Sequence, residues 1–162
     1  MARHRRGPVR HAVPRLRGRA RGGPLSPVPS PQAPPPADHD EETTQLLAAA
    51  LEAIDEKLGA DPVVLEMTEL LGVVDLFVVT AGRSDRQVRT ITEEIERVTK
   101  LRCGRGPIRV EGLSDARWVL LDFGDVVVHV FDEETRAYYD LEHLWSAAPR
   151  RAIARPAGRE RR

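Results

Sequence analysis

Cysteine is nearly absent from the chain: Cys103 stands alone among 162 residues. That excludes an intrachain disulfide framework and any multi-cysteine metal site, and it suits a reducing compartment. Long apolar runs are missing too. A membrane-crossing helix needs about 20 apolar residues, and the longest candidate, Val73 to Ala81, is broken by Asp75. The N-terminus is positively charged but no apolar segment follows it, which argues against a secretory signal. Its nine prolines also oppose the amphipathic helix of an organelle-targeting leader. Aromatics are scarce, with three Phe, two Tyr and two Trp, so where they cluster carries information.

Net charge is absent only on average. Met1 to Ala37 holds eight Arg and no acidic residue, whereas Asp38 to Pro149 holds 24 acidic residues against 11 basic ones. Arg150 to Arg162 returns to six Arg and one Glu. Such blocks point to two different surfaces rather than to electrostatic neutrality. The expected organisation is a disordered basic Pro/Arg-rich arm over residues 1–39, one α/β domain over 40–149, and a disordered Arg-rich tail over 150–162. Within the arm, Pro24 to Pro36 reads PLSPVPSPQAPPP, a composition suited to extended polyproline II and to a linker more than to a docking ligand. The acidic region of about 112 residues is long enough to bury somewhat over 60% of its unfolded surface.

Order is expected from Asp40. Acidic residues Asp40, Glu41 and Glu42 suit a helix N-terminus, and Leu47, Leu51, Ile54 and Leu58 recur on one helical face before Gly59. Val63 to Leu65 and Val73 to Thr80 read as strands. Ser84 with Gln87 three residues later forms a capping-box pattern. Val88, Ile91, Ile95 and Val98 then mark a helix to about Leu101, with Gly104 and Gly106 turning the chain out. Ile108 to Glu111 is a further candidate strand. Arg117 to Asp122 and Asp125 to Phe131, joined across Phe123 and Gly124, predict an antiparallel hairpin. Tyr139, Leu141, Leu144 and Trp145 suggest a short closing helix capped near Asp140. This order predicts an α/β fold: a single domain with a mixed β-sheet flanked by helices, not a purely parallel doubly wound sheet.

Several residues invite a chemical reading. The loop from Thr80 to Ser84 could offer backbone N–H groups and Arg83 to an anion. It has one glycine and no Lys-Ser/Thr pair, so turn-and-cap geometry is favoured over phosphate binding. Asp122 and Asp125 flank the hairpin turn. With Asp75 they are the carboxylates a metal-dependent transferase would need, though Asp is common at turns for its own hydrogen bonds. His129 lies among Val126, Val127, Val128, Val130 and Phe131, which favours a packed histidine over a catalyst. Trp118, Tyr138, Tyr139 and Trp145 suit either core or interface. The acidic domain should repel nucleic acid, and the Arg-rich ends are where phosphates would be met.

From Thr43 to Pro149 the sequence closely resembles the ribosome silencing factor family, also called iojap-like proteins. The resemblance rests on VVDLFVVTAGRSDRQVRTI from Val73 to Ile91, RVEG from Arg109 to Gly112, and WVLLDFGDVVVHVFDEETRAYYDLEHLW from Trp118 to Trp145. It implies a fold distantly like the nucleotidyltransferase fold, without enzymatic activity, cofactor or metal. It further implies a cytoplasmic protein that docks on the large ribosomal subunit through ribosomal protein L-fourteen. There it sterically blocks small-subunit joining and represses translation when nutrients are scarce. Homodimers are known among such proteins, and the Arg-rich ends would add contacts to nearby rRNA. Family motifs fall on Asp75, Phe77, Gly82, Ser84, Gln87, Val88, Trp118, Asp122, Gly124, Phe131, Leu141 and Leu144. Ribosome-contact candidates are Arg83, Arg86, Asp125, His129, Tyr138, Tyr139, Glu142 and Trp145. The family often has Asp where this chain has Glu66, and both Arg-rich ends fall outside its pattern. Two alternatives stay open: a metal-dependent nucleotidyl or phosphoryl transferase using Asp122, Asp125 and Asp75, and an RNA-binding adaptor acting through the basic termini.

Overall fold

The computed structural model describes residues 37–154. The expected arm and tail therefore lie outside the described residues, apart from 37–39 and 150–154. The first helix, α1 (Glu41–Glu56), starts where Asp40 accepts the backbone N–H of Thr43 at 2.7 Å. Its buried stripe runs through Leu46, Leu47, Ala50, Ala53 and Ile54. At Gly59 a Cβ would come within 2.6 Å of Ile54 Cγ2, so only glycine lets β1 (Ala60–Glu66) leave so close to the helix it follows. A single turn, α2 (Thr68–Leu71), ends at left-handed Gly72, and β2 (Leu76–Gly82) follows.

Ser84 caps α3 (Asp85–Cys103) by accepting the Gln87 N–H at 3.1 Å. Gln87 reaches back to the N–H of Arg83 at 2.8 Å, one residue before the cap itself. Its amide also donates to the carbonyls of Lys57 and Leu58, tying the α3 N-terminus to the end of α1. Left-handed Gly104 stops α3. The short β3 (Arg109–Glu111) leads into the hairpin of β4 (Trp118–Asp122) and β5 (Val126–Asp132). Two short helices, α4 (Glu133–Tyr139) and α5 (Leu141–Leu144), and a two-residue strand, β6 (Arg150–Arg151), complete the described chain.

The six strands form one sheet in the order β3-β4-β5-β2-β1-β6. Only β2 and β5 run parallel; every other pair is antiparallel. The expected mixed α/β sheet is therefore what forms. Successive residues alternate between faces: Val126, Val128 and Val130 lie under α1 and α3, with Val64, Leu76, Val78, Val119 and Leu121 beside them. Each such fully buried chain contributes about 1.5–3 kcal/mol of transfer free energy. No helix among the described residues is long and apolar enough to cross a membrane.

Three expectations need correction. Val73 and Val74 are not in β2, because Gly72 turns the chain and pairing starts only where Asp75 and Leu76 donate to the Asp125 carbonyl. The helix α4 was not foreseen, since its exposed, charged sequence carries no apolar stripe. The organised chain also extends past Pro149, because Arg150 and Arg151 pair with Leu65 and Val64.

Candidate functional site

Among the described residues, the sheet face opposite α1 and α3 is covered by α4, α5 and the segment after them, with Leu71 of α2 and Val74 at the Phe77 end. Here the strand registers build a ladder of rings. Trp118 stands opposite Phe131, and Leu120 opposite His129, across the β4–β5 hairpin. Val79 and Ala81 of β2 continue those rows beyond His129 and Phe131. The Trp118 ring stacks on Phe131 at 4.9 Å between centroids and meets Tyr139 at 5.0 Å. Tyr138 touches Tyr139 edge-on at 5.0 Å. Inward, His129 meets Phe77 at 4.7 Å, and Phe77 meets Trp145 at 6.0 Å. The outer end of this ladder is open to solvent, with Tyr138 81% exposed and Tyr139 52%; Leu144 of α5, in the following turn of chain, is 70% exposed.

Short elements hold the outer end in place. Asp132 caps α4 by accepting the Thr135 N–H at 2.6 Å. Arg136 donates to the carbonyls of Ala60 and Asp61 and to Glu142 Oε1, which fastens α4 and α5 to the start of β1. Asp140 takes a left-handed conformation, φ 43°, at the break between the two helices. Glu133, Glu134 and Asp140 remain exposed around the tyrosines. Arg136, the one cation of α4, is engaged inward, so this rim is acidic. An open cavity of about 520 Å³ beside it is lined by Asp61, Glu133, Arg136, Asp140 and Glu142.

The contact candidates separate into groups. Tyr138, Tyr139 and the half-buried Trp145 belong to the ring ladder. Arg83 and Arg86 are exposed at the start of α3, just after Gly82, which pairs with the α4 cap Asp132. Glu142 is half-buried and held by Arg136; burial raises its carboxyl, but the Arg136 hydrogen bond and charge, a backbone N–H and the Arg150 charge together keep it below the usual range. Two expectations fail here. His129 is 3% exposed and cannot be a surface contact. Its Nδ1 accepts the Trp118 indole N–H at 3.1 Å, so the proton sits on Nε2, which is buried without a partner. Burial pushes this imidazole down to about 4. Asp125, expected as an exposed turn carboxylate, is instead clamped by both Arg105 nitrogens, at 2.7 and 3.1 Å, and by Thr43 Oγ1 at 2.6 Å. Burial raises its carboxyl, yet the Arg105 and Thr43 hydrogen bonds prevail and hold it low.

The turn residue is Asp122, whose Oδ1 accepts the Gly124 N–H at 2.8 Å and so steadies a glycine at φ 92°. Asp75 accepts the Thr68 hydroxyl at 3.2 Å. The three carboxylates that a transferase would need are thus engaged separately, and no group of three or more His, Cys, Asp or Glu among the described residues could hold a metal ion. Gly82, Ser84, Gln87 and Gly124 shape turns and caps, while Phe77 packs inside. Arg105 and Arg136 were not singled out from sequence. The visible hint for Arg136 was a lone cation among the acids of Asp132 to Glu134.

Comparison with known proteins gives a consistent result. A family model described as "Ribosomal silencing factor during starvation" matches residues 40–162. Ribosomal silencing factor RsfS of Halalkalibacterium halodurans is 44% identical over 105 residues, 65% of this chain and 89% of that protein. The mouse protein named "Mitochondrial assembly of ribosomal large subunit protein 1" is 30% identical over 117 residues, 70% of this chain and 50% of that one. A crystal structure from Bacillus halodurans superposes with a TM-score of 0.60 at 41% identity, covering 68% of this chain and 99% of that one.

Proposed function

Because this chain belongs to the ribosomal silencing factor family, we propose that it acts by binding and not by turnover, docking on the large ribosomal subunit and blocking small-subunit joining. The observation that carries this reading is the exposed ring ladder on an otherwise acidic domain. Tyr138, Tyr139 and Leu144 present apolar area that no element among the described residues covers, and large rings anchor interfaces at low entropic cost. Trp118 and Phe131 support them from behind, so the patch is pre-formed.

The acidic rim selects the partner's chemistry. Glu133, Glu134 and Asp140 repel phosphate and attract lysine and arginine, so the face suits a basic protein better than bare RNA. Ribosomal protein L-fourteen, at the intersubunit face, is the proposed partner, with Arg83 and Arg86 at the margin of the contact. A standard interface buries roughly 1,200–2,000 Å², enough to obstruct the joining surface without catalysis. The name of the mouse relative, tied to large-subunit assembly, is in line with a large-subunit partner. The setting would be the cytoplasm under nutrient limitation, and pairing of two copies is compatible with this role.

The test is subunit association in sucrose gradients with purified subunits and the full chain. Wild-type protein should lower the joined-ribosome peak. Tyr138→Ala combined with Leu144→Ser should raise the concentration required about tenfold or more, since hot-spot truncations cost about 2 kcal/mol. An undiminished block by the double variant would remove the ring ladder from the mechanism.

A further inference from the structure

Among the described residues, a single buried side-chain polar atom has no hydrogen-bond partner, and it is Nε2 of His129. A buried N–H left unpaired opposes folding. The neighbours give it nothing to bond: Phe77 of β2 meets the imidazole edge to face at 4.7 Å, Phe131 lies nearly parallel to it at 6.3 Å, and Leu120 stands opposite on β4. An apolar side chain of similar size would fill this place without that penalty. What a histidine adds here is an acceptor on its other ring nitrogen.

That acceptor has one donor. Nδ1 takes the indole N–H of Trp118 at 3.1 Å. In the hairpin register Trp118 stands opposite Phe131 and Leu120 opposite His129, so the bond runs diagonally between strands on one sheet face. It holds the indole at 43° to the imidazole, with centroids 6.0 Å apart. At that tilt the indole stacks on Phe131 and meets Tyr139, which in turn meets Tyr138. The Trp118 side chain is only half-buried, so packing alone leaves it other rotamers. In those the N–H faces water and the ring leaves Tyr139.

We propose that His129 is a positioning residue of the docking face: by accepting the Trp118 indole N–H it fixes the ring on which Tyr139 and Tyr138 rest, and so sets the affinity of that face without touching the partner. The role rests on the docking reading given above. A directional bond that holds an aromatic support in its binding rotamer beforehand removes an ordering cost from association. It also makes the demand on position 129 specific, for the side chain must present an acceptor at the place of Nδ1 and not merely fill volume. Asparagine, whose side-chain oxygen can occupy that place, meets the demand. Leucine has similar bulk and no acceptor, and does not.

The test compares the full wild-type chain with His129→Asn, His129→Leu, Trp118→Phe, and Trp118→Phe combined with His129→Leu; His129→Val replaces His129→Leu if the latter does not fold. Two quantities are read. One is hydrogen exchange of the Trp118 indole N–H by NMR, a signal assigned by its absence from Trp118→Phe. The other is the concentration that halves subunit joining, corrected for the unfolded fraction. His129→Leu should speed indole exchange about tenfold or more while the amides of β2 and β5 exchange as in wild type. It should also raise the halving concentration about tenfold, whereas His129→Asn should stay within about threefold of wild type in both readouts. In the Trp118→Phe chain there is no N–H to hold, so adding His129→Leu should change the halving concentration by no more than about twofold. A residue that only fills the core would produce the same loss on both backgrounds, and that result overturns the proposal. So does a His129→Leu chain that blocks joining as wild type does, or a folded His129→Asn chain that loses as much as His129→Leu. A wild-type chain that fails to block joining removes the docking reading and this role with it; a blocking wild type beside an unaffected His129→Leu removes this role alone.

Discussion

His129 should make the domain sensitive to mild acid. In the unfolded chain its imidazole takes a proton near its ordinary value of 6.5, whereas the folded site, sealed by burial, refuses that proton until about pH 4. Between these values the unfolded state binds more protons, so stability rises with pH and is lost as pH falls. At 1.36 kcal/mol per pH unit, the loss from this group is about 2 kcal/mol between pH 6.5 and 5, and roughly 3 kcal/mol by pH 4. Against a total of about 5–15 kcal/mol for a small domain, that is a large fraction. The assay is urea unfolding of wild type and His129→Asn at half-unit steps from pH 7 to 4.5. Asn loses the contact with Phe77 and is less stable at pH 7, but it has no proton to take up. The gap between the two proteins should therefore narrow by about 2 kcal/mol as pH drops to 5. Titrations common to both proteins cancel in that difference. Parallel curves, or an imidazole seen by NMR to titrate near 6.5, would refute the sealed-site argument.

Two further changes probe the frame around the site. Gly112→Ala should lower stability by at least about 2 kcal/mol by chemical denaturation, because a Cβ there would lie 2.0 Å from the Trp118 carbonyl oxygen at a φ of +84°; a loss under 0.5 kcal/mol would show that the loop moves aside freely. Asp125→Asn should cost about 1–2 kcal/mol at pH 7 by weakening the Arg105 clamp. That cost should shrink below about pH 4, since a depressed carboxyl contributes stability that disappears as it protonates. The same variant should leave subunit blocking intact after correction for the unfolded fraction, and a selective loss of blocking would return Asp125 to the interface.

Elements governed by local rules were legible in the sequence. α1 and α3 announced themselves by apolar stripes and by Asp40 and Ser84 at their starts, and the β4–β5 hairpin by Gly124 between two apolar runs. What escaped depended on contacts distant in sequence. Arg105 sits between two glycines with nothing nearby to say that Asp125, twenty positions on, would receive it. The pairing of Arg150 and Arg151 with β1 comes from charge-rich residues that no strand pattern selects. Of the candidate site, the clustering of Tyr138, Tyr139 and Trp145 was readable, but it left core and interface equally open and did not show their stacking with Trp118 and Phe131. Exposure was not readable, because alternation on a strand says which residues share a face but not whether a short helix will cover that face. His129 shows this directly: its apolar neighbours argued for packing, its place in a family motif argued for contact, and packing prevailed.

Glu66 meets His39 Nε2 and accepts Arg151 Nη1, and the same nitrogen reaches the Ala37 carbonyl, so the chain enters and leaves the folded domain near one point. A domain entered and left near one point can be grafted into a surface loop of another protein without straining either partner. It can equally be closed by a short linker and reopened in an exposed turn such as Leu113 to Asp115. The module is thus portable as a cassette, and what it carries into a new host is the ring ladder on its far face.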